Sequence, residues 1–98
     1  MVNRYRRGRI AERKVADYLK SRGFKNVRRS RGSRGPADIY AVKDGVKYYI
    51  QVKTNKSRIS KEEIRKLREL AKKRRGVAAY IHKKGSKYKW KFFGNWSK

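Results

Sequence analysis

The sequence contains no cysteine. That excludes disulfides, a thiolate zinc site and a cysteine nucleophile. It has one histidine, one proline and one methionine. No apolar run approaches the 18 or so residues that a membrane helix needs. The start, Met1-Val2-Asn3-Arg4-Tyr5-Arg6-Arg7, lacks the apolar core of a secretory signal, so an intracellular, cytoplasmic setting is expected. The most informative scarcity is acidic. Seven Asp and Glu stand against 32 Lys and Arg, a formal net charge of +25. Such self-repulsion weakens a compact state unless a polyanion offsets it. Many of the cations are arginines, whose fork matches phosphate oxygens. Nucleic acid is the implied partner. No basic helix carries the bulky apolar face needed to lie on a membrane, so no membrane partner is expected.

The 98 residues allow one domain, with residues 1–6 as a basic N-terminal arm. Apolar residues form 37% of the chain, enough for a small core and too patterned for a disordered tail. Ala11, Val15, Tyr18 and Leu19 follow helical spacing between Arg7 and Arg22, and Gly23 marks the stop. Phe24 to Arg28 reads as a short strand. A basic loop of Ser, Arg and Gly follows, from Arg29 to Pro36. Ala37 to Lys43 and Val46 to Lys53 are strands joined at Asp44-Gly45, a hairpin signal. Ser60 and Glu63 form a capping box, opening a helix whose buried stripe is Ile64, Leu67, Leu70 and Ala71. Gly76 stops it. Val77 to His82 and Tyr88 to Phe93 are the last strands. The order is α, β, β, β, α, β, β, an α/β protein.

The hairpin carries the chemistry. With Asp44-Gly45 as a two-residue turn, Lys43 pairs with Val46 and Asp38 falls opposite Gln51. Directly opposed residues share a face at about 5 Å between Cβ atoms. Lys53, two further along, projects to the same side. One face thereby gathers a carboxylate, an amide and an ammonium. Tyr40 and Tyr49 share that face, while Ile39, Ala41, Tyr48 and Ile50 face a core. Glu12 sits at the edge of the first helix's apolar stripe, where an inward carboxylate needs a partner or a metal. Phosphodiester hydrolysis needs an in-line nucleophile and relief of charge on the phosphate. Mg²⁺ held by one or two carboxylates supplies that relief. Asp38 is the natural central ligand, Gln51 can offer its amide oxygen, and Lys53 can orient the attacking water. The bland alternative is an ordinary ion pair between Asp38 and Lys53, with Glu12 merely neutralising neighbouring arginines.

The run Pro36-Ala37-Asp38 to Gln51-Val52-Lys53 resembles the D…(E/Q)xK signature of the PD-(D/E)XK nuclease superfamily. With Gly8, Glu12 and Arg13 in the first helix, Gly23-Phe24 after it, and the Ser/Arg/Gly loop, the chain resembles the archaeal Holliday-junction resolvases over residues 5–82. The resemblance implies a restriction-endonuclease-like nuclease fold: a central mixed sheet of about five strands flanked by helices. It also implies a homodimer on the DNA of the nucleoid, making Mg²⁺-dependent symmetric cuts in four-way junctions, with Mn²⁺ as a substitute. Glu12, Asp38, Gln51 and Lys53 would form the active site, with Ser30 or Ser33 contributing. Metal ligands would be Glu12, Asp38, Gln51 and the Val52 backbone carbonyl. Resolvases carry Glu where this chain has Gln51, and the lost charge should weaken metal binding.

DNA-binding candidates are Arg4, Arg6, Arg7 and Arg9, then Arg28, Arg29, Arg31 and Arg34, then Lys56, Arg58 and Lys61. They would hold phosphates without reading sequence. Two alternatives stand beside the resolvase: a non-catalytic basic nucleic-acid-binding protein on an inactive nuclease fold, and a restriction- or repair-type nuclease. His82 reads as a surface residue at a strand end. Tyr88, Trp90 and Phe92 read as core or dimer surface.

Overall fold

The computed structural model describes residues 4–30 and 35–97, with side chains from residue 10 onward. The elements run α1 (Arg4–Ser21), β1 (Lys25–Arg29), β2 (Ile39–Lys43), β3 (Val46–Thr54), α2 (Lys61–Lys73), β4 (Val77–Lys84) and β5 (Lys87–Asn95). This is the expected order. Helix α1 begins at Arg4, so residues 4–6 of the expected arm are helical, while residues 1–3 lie outside the described residues.

The five strands form one mixed sheet in the order β1-β2-β3-β4-β5. Pairing is antiparallel except between β3 and β4, which are parallel and joined through α2. A parallel pair needs such a crossover, and a helix is its usual form. The β2–β3 register pairs Lys43 with Val46 and Ile39 with Ile50, as the two-residue turn predicts. Asp44 and Gly45 both have positive φ, at 52° and 76°, which a type I′ turn requires.

Each face of the sheet is covered by one helix. Val15, Ala16 and Leu19 of α1 pack on Ile39, Ala41, Ile50, Val52, Ala79 and Ile81. Leu67 and Ala71 of α2 pack on Tyr49 and Ala78 at the other face, with Ala37 at its end. Alternation along β3 therefore sends residue 50 to one helix and residue 49 to the other. Helix α1 ends as expected at Gly23, with φ of 91° and the Phe24 N–H donating to the Leu19 carbonyl at 3.1 Å.

Helix α2 ends differently from expectation. Arg75, not Gly76, takes the left-handed conformation, with φ of 54°. Gly76 is required for closeness instead: a Cβ there would sit 2.6 Å from the Tyr49 ring and 2.7 Å from the Lys47 carbonyl. Strands β4 and β5 also run further than the sequence pattern suggested, and His82 lies within β4 rather than at its end. Its Nε2 is 2.7 Å from the Asn55 carbonyl, which ties the loop after β3 to the sheet. Trp90 packs on the α1 side and Trp96 on the α2 side, whereas Phe92 is 58% exposed. Among the described residues, no helix is long and apolar enough to cross a membrane.

Candidate active site

Asp38 stands just before β2 and extends its pairing by other means. Its N–H donates to the Ile50 carbonyl at 2.8 Å, and its carbonyl accepts from the Ser30 N–H at 2.8 Å. Its side-chain Oδ2 accepts from the Val52 N–H at 2.9 Å. The carboxylate thus takes the place that a longer β2 backbone would have filled. Three bonds from two neighbouring strands fix its position.

Gln51 and Lys53 follow on the same face of β3. Gln51 is buried, and its Nε2 donates to Glu63 Oε2 at 3.1 Å. Lys53 Nζ lies 2.8 Å from the same oxygen. Gln51 and Lys53 thus share one Glu63 oxygen, while the Asp38 carboxylate is held at the intervening Val52 N–H. The directly opposed Asp38–Gln51 pair is not formed: the regular register ends at Ile39–Ile50, and the Asp38 N–H also turns to Ile50, an irregularity that the Asp-Gly turn does not reveal. Tyr80 of β4, paired with Gln51, is buried beside them.

Glu63 is the residue that the sequence reading left out of the site. It was assigned wholly to the capping box, and it does cap: Ser60 Oγ accepts from the Glu63 N–H, and Glu63 Oε1 accepts from the Ser60 N–H, each at 3.1 Å. Its other oxygen faces Gln51 and Lys53. A signal was present. Glu63 stands four residues before Leu67, on the helical stripe that buries Leu67 and half-buries Leu70.

The two carboxyls are tuned in opposite directions. Burial raises the Asp38 pKa above its ordinary value, Glu63 adds to the rise, and the Val52 N–H and Lys53 oppose it without winning. Burial also pushes Glu63 up, but hydrogen bonds from Lys53 and Ser60 together outweigh it and hold its carboxyl below the ordinary range. Among the described residues, the Val52 N–H and Lys53 do not offset the burial of the Asp38 carboxylate.

Glu12 is half-buried on α1, the helix that covers the other face of the sheet from α2. Ser30 follows β1, its N–H on the Asp38 carbonyl. Ser33, Arg31 and Arg34 lie outside the described residues, as do the side chains of Arg4, Arg6, Arg7 and Arg9. Arg28 and Arg29 are exposed on β1, Lys56 and Arg58 on the loop after β3, and Lys61 opens α2. An open cleft of about 860 Å³ is lined by Arg28, Arg29, Ser30, Tyr40, Lys47 and Arg74 among others; among the described residues, Asp38, Gln51, Lys53 and Glu63 are not part of its lining. Lys47 and Arg74 were not on the predicted contact list. Arg74 continues the Leu67–Leu70 stripe, a spacing that could have found it.

Among the described residues, no three His, Cys, Asp or Glu side chains cluster into a metal cage. Mg²⁺ does not need one. It is commonly held by one or two carboxylates and keeps several waters. An under-compensated Asp38, a neighbouring amide and a second carboxylate suit a hard divalent cation.

No curated protein matches the chain. Among solved structures, it is similar to Hjc, a Holliday junction resolvase from the hyperthermophile Archaeoglobus fulgidus, with 27% sequence identity and a TM-score of 0.73. The alignment covers 89% of this chain and 71% of that one. A family model described as archaeal Holliday junction resolvase (Hjc) matches residues 3–97. The chain, with its mixed five-stranded sheet and its Asp38–Gln51–Lys53 corner, belongs to the archaeal Holliday junction resolvase family.

Proposed function

We propose that this protein is a metal-dependent, structure-specific endonuclease that resolves four-way DNA junctions by hydrolysing phosphodiester bonds. The observation that carries the reading is the corner itself, where the Val52 N–H holds the Asp38 carboxylate between Gln51 and Lys53, within a chain of the resolvase family.

Each residue has a part. Asp38, fixed by three bonds and largely buried, would hold Mg²⁺ or Mn²⁺, with the Gln51 amide oxygen beside it. Gln51 donates its N–H to Glu63, which leaves the carbonyl oxygen as the end free to ligate. Glu12 from α1 and the Val52 carbonyl are further ligand candidates. The bound cation supplies charge relief on the phosphate and a more acidic water. Lys53 orients that water or steadies charge on the phosphate oxygens, and Ser30 or Ser33 supports the strand entering the site. Arg28, Arg29, Lys56, Arg58 and Lys61 hold the flanking phosphates, joined by Arg74 and Lys47 across the cleft and by Arg4, Arg6, Arg7, Arg9, Arg31 and Arg34. A symmetric pair of cuts needs two such sites, so the working unit is a homodimer acting on the nucleoid in the cytoplasm.

The test is incubation with a labelled four-way junction and with its linear arms, in Mg²⁺ and in Mn²⁺, beside Asp38→Ala. Paired cuts in the junction alone are expected, with cutting lost and binding kept in the variant. Metal-dependent cleavage retained by Asp38→Ala would remove Asp38 from the chemistry. Tight binding without cleavage in either metal would favour the non-catalytic reading, for which Gln51 is the motivating residue.

A further inference from the structure

Position 51 carries an amide rather than a carboxylate, yet a carboxylate is present one hydrogen bond away. Glu63 Oε2 lies 3.1 Å from Gln51 Nε2 and 2.8 Å from Lys53 Nζ. It reaches this corner from α2, across the crossover that links the parallel strands β3 and β4. We propose that Glu63 supplies the anionic metal ligand missing from β3, so that the second carboxylate of the site is carried by α2. The inference rests on the metal-dependent reading above and deepens it by naming a ligand.

Three features support it. The first is anchoring. Oε1 is held by the Ser60 N–H at 3.1 Å, so the capping box fixes one oxygen and presents the other to the corner. A metal ligand benefits from such a supporting bond, which limits the freedom lost on binding. The second is placement: Glu63 is half-buried on the stripe that packs against the sheet, unlike the exposed Glu62 and Glu69, which pair with Arg65 on the helix surface.

The third is that Gln51 and Glu63 make sense only together. Two carboxylates about 3 Å apart repel each other, and only the single charge of Lys53 contacts Glu63 at this corner among the described residues. An amide at 51 removes that repulsion and donates a hydrogen bond to its neighbour. Glutamine therefore permits the helix carboxylate to enter, and the helix carboxylate restores the charge that glutamine gave up. Lys53 is then positioned by the same oxygen in the metal-free protein.

The experiment is Mn²⁺ titration by calorimetry without DNA, on wild type, Glu63→Gln and the exchange variant Gln51→Glu with Glu63→Gln. Glutamine also completes a capping box, so Glu63→Gln keeps the helix start while removing the charge. Thermal unfolding in chelator checks that it does. Glu63→Gln is expected to weaken Mn²⁺ binding by roughly ten- to a hundredfold, the scale seen when a metal site loses one support. Moving the carboxylate back to position 51 is expected to recover most of it, and junction cleavage with it. Unchanged Mn²⁺ affinity in Glu63→Gln overturns the proposal. So does a loss that the exchange variant fails to repair, because Glu63 would then act only as a cap and a partner for Lys53. Wild type that binds no Mn²⁺ and cuts no junction overturns the metal-dependent reading itself, which separates the two failures.

Discussion

Asp38 shows how much a single residue can be asked to do. Its backbone joins two strands, its carboxylate accepts from a third position, and its burial makes its charge costly. That cost has a pH signature. The folded pKa is raised, so between the ordinary value and the raised one the folded state holds more protons than the unfolded chain. Stability of the metal-free protein then falls as pH rises through that window. Asn at 38 keeps an oxygen for the Val52 N–H and does not titrate. In chelator, Asp38→Asn should therefore gain stability relative to wild type as pH climbs through the window, read as a growing difference in Tm. A difference that stays flat with pH would contradict the burial argument. The β2–β3 register from Ile39 to Lys43, and the shared face of Gln51 and Lys53, were legible in the sequence because side chains alternate along a strand and the Asp-Gly turn sets register; the local irregularity that turns Asp38 to Ile50 and Val52 was not. Glu63 was harder to place. Its local role as a cap is complete by itself, and nothing within 12 residues announces that its second oxygen meets β3.

At the scale of the element, α2 is the part that completes the corner. Its start is written in Ser60 and Glu63, its stripe in Leu67 and Ala71, and both are as the periodicity indicates. Because Glu63 serves the cap and the corner at once, weakening the cap should loosen the site. Ser60→Ala removes the oxygen that accepts from the Glu63 N–H and should cost about 1 kcal/mol. In a domain of this length that is a fall of roughly 4–8 °C in Tm. An unchanged Tm would mean the cap contributes nothing that tertiary packing does not already hold. The other end of α2 was misread because glycine has two uses. The stop was assigned to its freedom at positive φ, but Arg75 accepts that conformation, and Gly76 is needed because β3 passes too close for any Cβ.

For the whole molecule, charge governs behaviour more than the core does. A net +25 on 98 residues makes phosphate contact the main source of DNA affinity. A complex with about six phosphate contacts should lose on the order of a thousandfold in affinity between 50 and 200 mM salt. Measuring the dissociation constant for a four-way junction across that range checks it, and a shallow dependence would mean that contacts other than phosphate dominate. The acidic side chains of α2 are engaged with Arg65, Lys66 and Lys53.

The sequence by itself determined the element order, the register of the β2–β3 hairpin, the helix start at Ser60 and the need for a polyanionic partner. These depend on side-chain period, turn chemistry and net charge, all of which act over a few residues or over the total. Only the tertiary structure decided which helix covers which face, why Gly76 must be glycine, that Arg74 and Lys47 line the cleft, and that Glu63 closes the corner opened by Asp38, Gln51 and Lys53. Those outcomes depend on distances between segments that the chain brings together only after the crossover helix has packed onto the sheet.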